Sequence, residues 1–118
     1  MNEPFNLAAL NARIAGFTVV RGLSLDGDMA TGDYALRISL SKDERPASRV
    51  IGLVLGGVSG LLLQNVGGGV IYFSCLRVRD ISAEQHDRIL FEVVDLEDER
   101  ISARAASVNL VEGPALPG

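Results

Sequence analysis

The chain has 118 residues, of which 47% are hydrophobic and 22% are charged, and its formal net charge is −4. This balance excludes an intrinsically disordered chain and predicts one domain, residues 1–118, around one hydrophobic core. The core must be aliphatic because the chain has no Trp, two Tyr and four Phe, and so few aromatic rings argue against a stacking platform for single-stranded nucleic acid.

A short helix followed by a hairpin is predicted at the beginning of the chain. Residues 6–15 carry apolar side chains on one side, with Asn6 as the N-cap. Apolar and polar residues then alternate over residues 17–25 and again over residues 34–40, a pattern typical of strands with one buried face. Residues 26–33 between them are rich in Asp and Gly, so the two strands should form a hairpin.

The middle of the chain, Val50–Leu76, carries no charge over 27 residues. Its glycines, among them the triplet Gly67–Gly69, break a helix and favour buried strands at Val50–Leu55 and Leu61–Leu63, followed by a longer strand over Val70–Ile81. A run of this length also fits a membrane span at residues 50–76. A membrane-associated protein is therefore kept as an alternative.

The last third should contain a helical turn from Ser82 to His86, then strands beginning at Ile89 and Arg100, and a frayed tail over residues 112–118. Apolar residues change parity near Ala106, which predicts a bulge or bend there. With about seven short strands and one N-terminal helix, the fold class is mainly β, an antiparallel β-sandwich or a partly open barrel.

The residues offer few candidates for catalysis. His86 is the single histidine, and with Cys75 it supplies fewer ligands than a zinc site requires; no catalytic, metal or cofactor site is predicted. Asp95 and Glu97 would lie about 6.6 Å apart on one face of a strand, which suits a carboxylate pair for glycoside hydrolysis. A small hydrolase using these two residues is therefore the main alternative to a non-enzymatic protein.

Charge is distributed unevenly along the chain. Residues 1–79 carry eight basic and six acidic groups, whereas residues 80–118 carry three basic and nine acidic groups, a net charge of −6. This predicts an acidic surface for a basic protein partner, and argues against nucleic acid or a membrane as partner. The candidate residues are Glu92, Asp95, Glu97, Asp98 and Glu99, and whether this cluster also binds a cation is left open.

Two further expectations concern assembly and location. An exposed edge strand from the apolar middle would allow a homodimer. The lone Cys75 and the lack of a secretory signal at the N-terminus predict a cytoplasmic protein.

Residues 53–101 contain three strand and turn patterns: Leu53-x-Leu55-x-Gly57-Val58, then Asp80-Ile81-Ser82, and finally Phe91-x-Val93-x-Asp95-x-Glu97 with Ile101. In these patterns the chain resembles small bacterial single-domain β proteins, some of them immunity-type proteins encoded beside toxins. The resemblance implies a protein-binding role without a cofactor, in which the chain neutralises a basic toxin domain.

Overall fold

The computed structural model describes residues 6–84 and 90–114, which form one α-helix, one short 3-10 helix at Ser82–Glu84 and eight strands. The elements are α1 (Leu7–Ile14), β1 (Val19–Asp28), β2 (Asp33–Ser41), β3 (Val50–Gly56), β4 (Ser59–Leu63), β5 (Leu76–Asp80), β6 (Phe91–Asp95), β7 (Ile101–Ala105) and β8 (Ser107–Glu112).

The strands form two antiparallel four-stranded sheets, which confirms the prediction of a mainly β fold. The first sheet has the order β1-β2-β3-β8, and the second has the order β4-β7-β6-β5. Buried side chains from both sheets pack into one core, as expected for sheets stacked face to face. The buried faces of the two central strands β2 and β3 are lined by leucine and isoleucine: Leu36, Ile38, Leu40, Ile51, Leu53 and Leu55.

The N-terminal helix begins and ends where the sequence predicts. The Asn6 side chain accepts a hydrogen bond from the Ala9 amide at 3.0 Å, and the helix buries Leu10 and Ile14. Asn11 faces the edge of β5, where its carboxamide donates to the Val78 carbonyl and accepts from the Val78 amide, both at 2.8 Å. The helix therefore occupies the edge of the second sheet in the way that a further strand would.

The structure has eight strands where the sequence predicted about seven, because the predicted last strand is divided into two strands. β7 belongs to the second sheet and β8 to the first, and the chain crosses between them at Ala106, whose amide binds the Gly56 carbonyl at 2.8 Å. The predicted bend at Ala106 is confirmed, and the change of parity seen in the sequence reflects this change of sheet rather than a bulge. Glu112, expected in the frayed tail, is the last residue of β8, and residues 115–118 lie outside the described residues.

The predicted long strand over Val70–Ile81 is also wrong, since only Leu76–Asp80 forms β5. Tyr72 instead makes an isolated antiparallel bridge with Val19, and the Phe73 amide binds the Thr18 carbonyl, so this segment pairs with the start of β1.

Residues 50–76 contain β3 and β4 rather than one helix, so the alternative of a helical span there is wrong. None of the described helices is long and apolar enough to cross a membrane. Burial explains the lack of charge only in β3, which lies between β2 and β8 and is buried along most of its length. The predicted burial of Leu61–Leu63 in β4 is wrong for Leu62, which is 55% exposed.

Candidate functional site

The β1–β2 hairpin is longer than the sheet that faces it. β1 and β2 have ten and nine residues, whereas each strand of the second sheet has five. The second sheet therefore leaves the far end of the hairpin uncovered. Leu25 lies directly opposite Leu36 in the register, yet Leu25 is 48% exposed while Leu36 is 1% exposed.

An apolar groove lies beside the uncovered end of the hairpin, and we call it the hairpin groove. It has a volume of about 170 Å³ and is lined by residues of β1, β2 and β4 and of the connection between β3 and β4: Leu25, Tyr34, Val58, Ser59, Gly60 and Leu61. The Val58 amide binds the Tyr34 carbonyl at 3.0 Å, which holds the connection against the hairpin. Because Leu25 and Leu61 line the same groove, the groove marks where the edges of the two sheets stand apart.

Gly27 allows the Tyr34 ring to lie close against the backbone of β1. A Cβ atom at this glycine would lie 2.7 Å from the Tyr34 ring and 2.8 Å from the methyl group of Met29. Both side chains nevertheless remain open to solvent, Tyr34 at 41% and Met29 at 76% exposed. With Leu25, the hairpin contributes three of the exposed large hydrophobic residues in the described chain, a concentration typical of interaction surfaces.

The hairpin tip, residues 26–33, is acidic. Asp26, Asp28 and Asp33 line a second groove of about 420 Å³ together with Tyr34, which thus borders both grooves. Arg37 forms an ion pair with Asp26 at 2.6 Å and offsets one of the three negative charges. The expected boundaries of the turn need correction, because Asp26–Asp28 continue β1 and the turn itself is shorter.

One edge of β1 is open beside these grooves. The start of the strand is covered, since the Val20 amide binds the Ile71 carbonyl at 2.9 Å and Val19 bridges to Tyr72. From Gly22 to Asp28, β1 pairs with β2 on one side, and no strand among the described residues pairs with its other side. An open edge of this kind offers backbone donors and acceptors to an added strand.

The predicted carboxylate pair does not exist as a site. Asp95 is the last residue of β6 and is fully buried, whereas Glu97 lies in the following turn and is exposed, so the two side chains do not share a face. The Asp95 carboxylate accepts backbone hydrogen bonds from Cys75 at 3.1 Å, Glu97 at 3.3 Å and Arg100 at 3.4 Å. Its oxygens hold the turn together and do not reach solvent.

The predicted acidic surface is therefore divided between three environments. Placing Asp95 on it is wrong because this residue is buried. Glu92 lies on the outer side of the second sheet and forms an ion pair with Arg79 at 3.4 Å. Only Glu97, Asp98 and Glu99 remain together, exposed in the turn between β6 and β7, where Asp98 accepts a hydrogen bond from Ser74 at 3.0 Å.

The other candidates from the sequence are not brought together. Cys75 is a free thiol and is half-buried, and His86 lies outside the described residues. Among residues 6–84 and 90–114, no group of three or more His, Cys, Asp or Glu side chains could hold a metal ion. Comparison of the chain with protein-family models, with curated proteins and with solved structures found no match.

Sequence reasoning missed the hairpin surface because it treated residues 26–33 only as a turn. The available signal was the pair Leu25 and Tyr34, two large apolar residues at the ends of an acidic segment. That signal becomes informative only when the strands of the facing sheet are known to be too short to cover them.

Proposed function

We propose that the chain is a non-catalytic protein-binding module whose β1–β2 hairpin takes up an extended, basic segment of a partner protein. The observation that carries this proposal is the combination, on one hairpin, of an open strand edge, an apolar groove and an acidic tip. The buried position of Asp95 supports the non-catalytic reading against the hydrolase alternative, because the carboxylate pair that the hydrolase would need is not formed.

The open edge of β1 supports binding by strand addition. A partner segment that pairs with Gly22–Asp28 would extend the first sheet from four strands to five. Backbone hydrogen bonds in such a complex supply affinity without reading the partner's sequence, and pockets for alternate side chains supply selectivity.

The hairpin groove supplies a pocket for one apolar side chain of the added strand. Leu25, Leu61 and Tyr34 are the large side chains that line it, together with Val58. Burying half-exposed leucine and tyrosine surface there gains roughly 25 cal/mol for each Å² removed from water.

The charge of the hairpin tip selects a basic partner. The tip carries three aspartates, and Arg37 is the neighbouring cation that pairs with one of them. Lys or Arg side chains on the added strand would meet the negative charge of the tip, which raises the rate of association and rejects acidic competitors. The acidic surface proposed for the partner is thus the hairpin tip rather than residues 92–99. The tip lies at the opposite end of the sandwich from the turn between β6 and β7.

A basic toxin domain is one partner of this chemistry, and the resemblance of residues 53–101 to immunity-type proteins supports it. We include a cytoplasmic location in the same proposal. In that compartment the lone Cys75 would stay reduced.

The proposal can be tested with a synthetic nine-residue peptide in which Val and Lys alternate, compared with one in which Val and Glu alternate. Fluorescence anisotropy should show tighter binding of the Val-Lys peptide, and hydrogen exchange should show slower exchange of amides within residues 22–28 when it is bound. The triple variant Asp26→Asn, Asp28→Asn and Asp33→Asn should weaken its binding by about tenfold, since each exposed charge contributes up to about 1 kcal/mol.

The matched control removes the same number of charges from the turn between β6 and β7, by Glu97→Gln, Asp98→Asn and Glu99→Gln. The apolar contribution is tested by Leu25→Lys against Val111→Lys, since both residues are exposed on edge strands of the first sheet. Equal weakening by both triple variants, or unchanged exchange along β1 in the complex, would overturn the proposal. Protection of β1 in the free protein that rises with its concentration would indicate a homodimer through this edge instead.

A further inference from the structure

The outer side of the second sheet carries an arginine face, which we define as Arg77, Arg79 and Arg104. The two arginines of β5 alternate with its buried residues, and Arg104 alternates with the buried alanines of β7. Because alternate residues of a strand point to opposite faces, all three guanidinium groups project away from the core. Arg77 and Arg79 come from the net basic residues 1–79, and Arg104 comes from residues 80–118, which were expected to be acidic.

The register arranges these residues as two rows across three strands. In one row Glu92 of β6 has Arg79 on one side and Arg104 on the other, and in the next row Val94 has Arg77 on one side and Ser102 on the other. Directly opposite residues in antiparallel strands have Cβ atoms about 5 Å apart, so the arginines border a strip of about 10 Å centred on β6.

The positive charge of this face is only partly neutralised. Arg79 forms an ion pair with Glu92 at 3.4 Å, and their side chains are 54% and 22% exposed. Within residues 6–84 and 90–114, Arg77 and Arg104 form no ion pair with a carboxylate, and both are exposed. Two guanidinium groups are thus available to a ligand, and each has a planar fork of donors suited to a carboxylate.

We propose that the arginine face binds an acidic, extended segment of a second protein partner. Carboxylates of that segment would pair with Arg77 and Arg104, and an apolar side chain between them would rest on Val94, which is half-buried in the strip. A continuous phosphate backbone fits less well, because Glu92 places a negative charge in the middle of its path. The alternating residues of the described face also include no aromatic ring on which bases could stack.

This surface is separate from the hairpin, so both can be occupied at once. The hairpin contributes the edge of the first sheet, whereas the arginine face spans three strands of the second sheet. Opposite charges at the two surfaces select different partners, a basic segment at one and an acidic segment at the other. The chain would then join two proteins, a role that goes beyond binding one.

The experiment uses a labelled twelve-residue peptide in which Glu and Leu alternate, with a twelve-nucleotide oligo-dT as the competing anion. We expect the peptide to bind more tightly than the oligonucleotide. The double variant Arg77→Gln and Arg104→Gln should weaken peptide binding by about fivefold, since two exposed ion pairs are lost. The variant Glu92→Gln should strengthen it by about threefold, because it removes the carboxylate at the centre of the strip.

The matched control is Lys42→Gln with Arg45→Gln, which removes two exposed charges from a loop of the first sheet and should change peptide affinity less than twofold. The triple aspartate variant of the hairpin tip should also leave it unchanged, which separates this proposal from the proposed function. Tighter binding of oligo-dT, weakening by Glu92→Gln, or equal effects of the two double variants would each overturn the proposal.

Discussion

The edge strands on the two sides of the sandwich are covered to different extents. On the closed side, α1 lies between β5 and β8: Asn11 binds the backbone of Val78, and Arg13 forms an ion pair with Glu112 at 2.9 Å. On the open side, β1 and β4 stand apart, and Leu25 and Leu61 line the groove between them. Both sides end in edge strands with apolar residues behind them, yet only the closed side has a helix over them among the described residues.

In this small fold one edge is covered, which stabilises the fold, while another edge stays open to binding. The closed side uses a side-chain amide to satisfy the backbone of β5, which stabilises the domain and blocks strand addition there. The open side keeps a register shift near Arg21 and the charged residues of the tip, which discourage unspecific pairing without covering the edge.

The largest expected effect comes from removing a core side chain on the closed side. Ile14 of α1 is 1% exposed, so Ile14→Ala should leave a cavity and lower the free energy of unfolding by about 4 kcal/mol. Leu25→Ala on the open side should lower it by less than about 1 kcal/mol, because half of that side chain is already in water. Urea unfolding followed by circular dichroism measures both values. Equal losses would mean that the hairpin groove belongs to the core and would contradict the contrast.

The next effect concerns the carboxylate that fixes the start of β5 on the closed side. Asp95→Ala would leave three partly buried backbone amides without their acceptor and create a cavity at a fully buried side chain, and should lower the free energy of unfolding by about 3 kcal/mol. Asp98→Ala in the same turn removes an exposed carboxylate and should change stability by no more than about 0.5 kcal/mol. Chemical unfolding of the two variants side by side tests this. A small effect at Asp95 would show that the turn does not depend on its carboxylate.

The smallest effect is a pH dependence of the closed side. Hydrogen bonds from Arg49 and Arg13 hold the pKa of Glu112 below its usual range. A lowered pKa in the folded state gives stability that is complete above the unfolded pKa, about 4.3, and is lost as the pH falls through the folded value. We therefore expect Glu112→Gln to reduce stability slightly at pH 7 and to flatten its decline below about pH 4.

Thermal unfolding between pH 3 and pH 7 would measure this change, with Glu99→Gln as the control in an exposed turn. An unchanged profile for Glu112→Gln would mean that the ion pairs of Glu112 with Arg13 and Arg49 do not contribute to stability. The closed side would then be stabilised by the contacts of Leu10, Asn11 and Ile14 without a contribution from Glu112.

Several elements could be predicted from the sequence because their signals lie within a few neighbouring residues. Asn6 as a helix cap, the alternation over residues 34–40 and the glycine-broken middle each reflect backbone and solvent preferences that act within a few residues, and the mainly β fold follows from them. The sequence also contained the change of parity at Ala106, but its meaning as a change of sheet required the pairing of β8 with β3.

Which charged residues are buried, exposed or paired could be read from the tertiary structure alone. Asp95 and Asp98 are the same residue type three positions apart, yet one is buried beneath three backbone amides and the other is exposed. Glu92 lies between Arg79 and Arg104 of the arginine face because β5 and β7 flank β6 in the sheet. Burial, strand order and the relative lengths of two sheets are properties of contacts between distant residues, and net charge along the chain does not encode them.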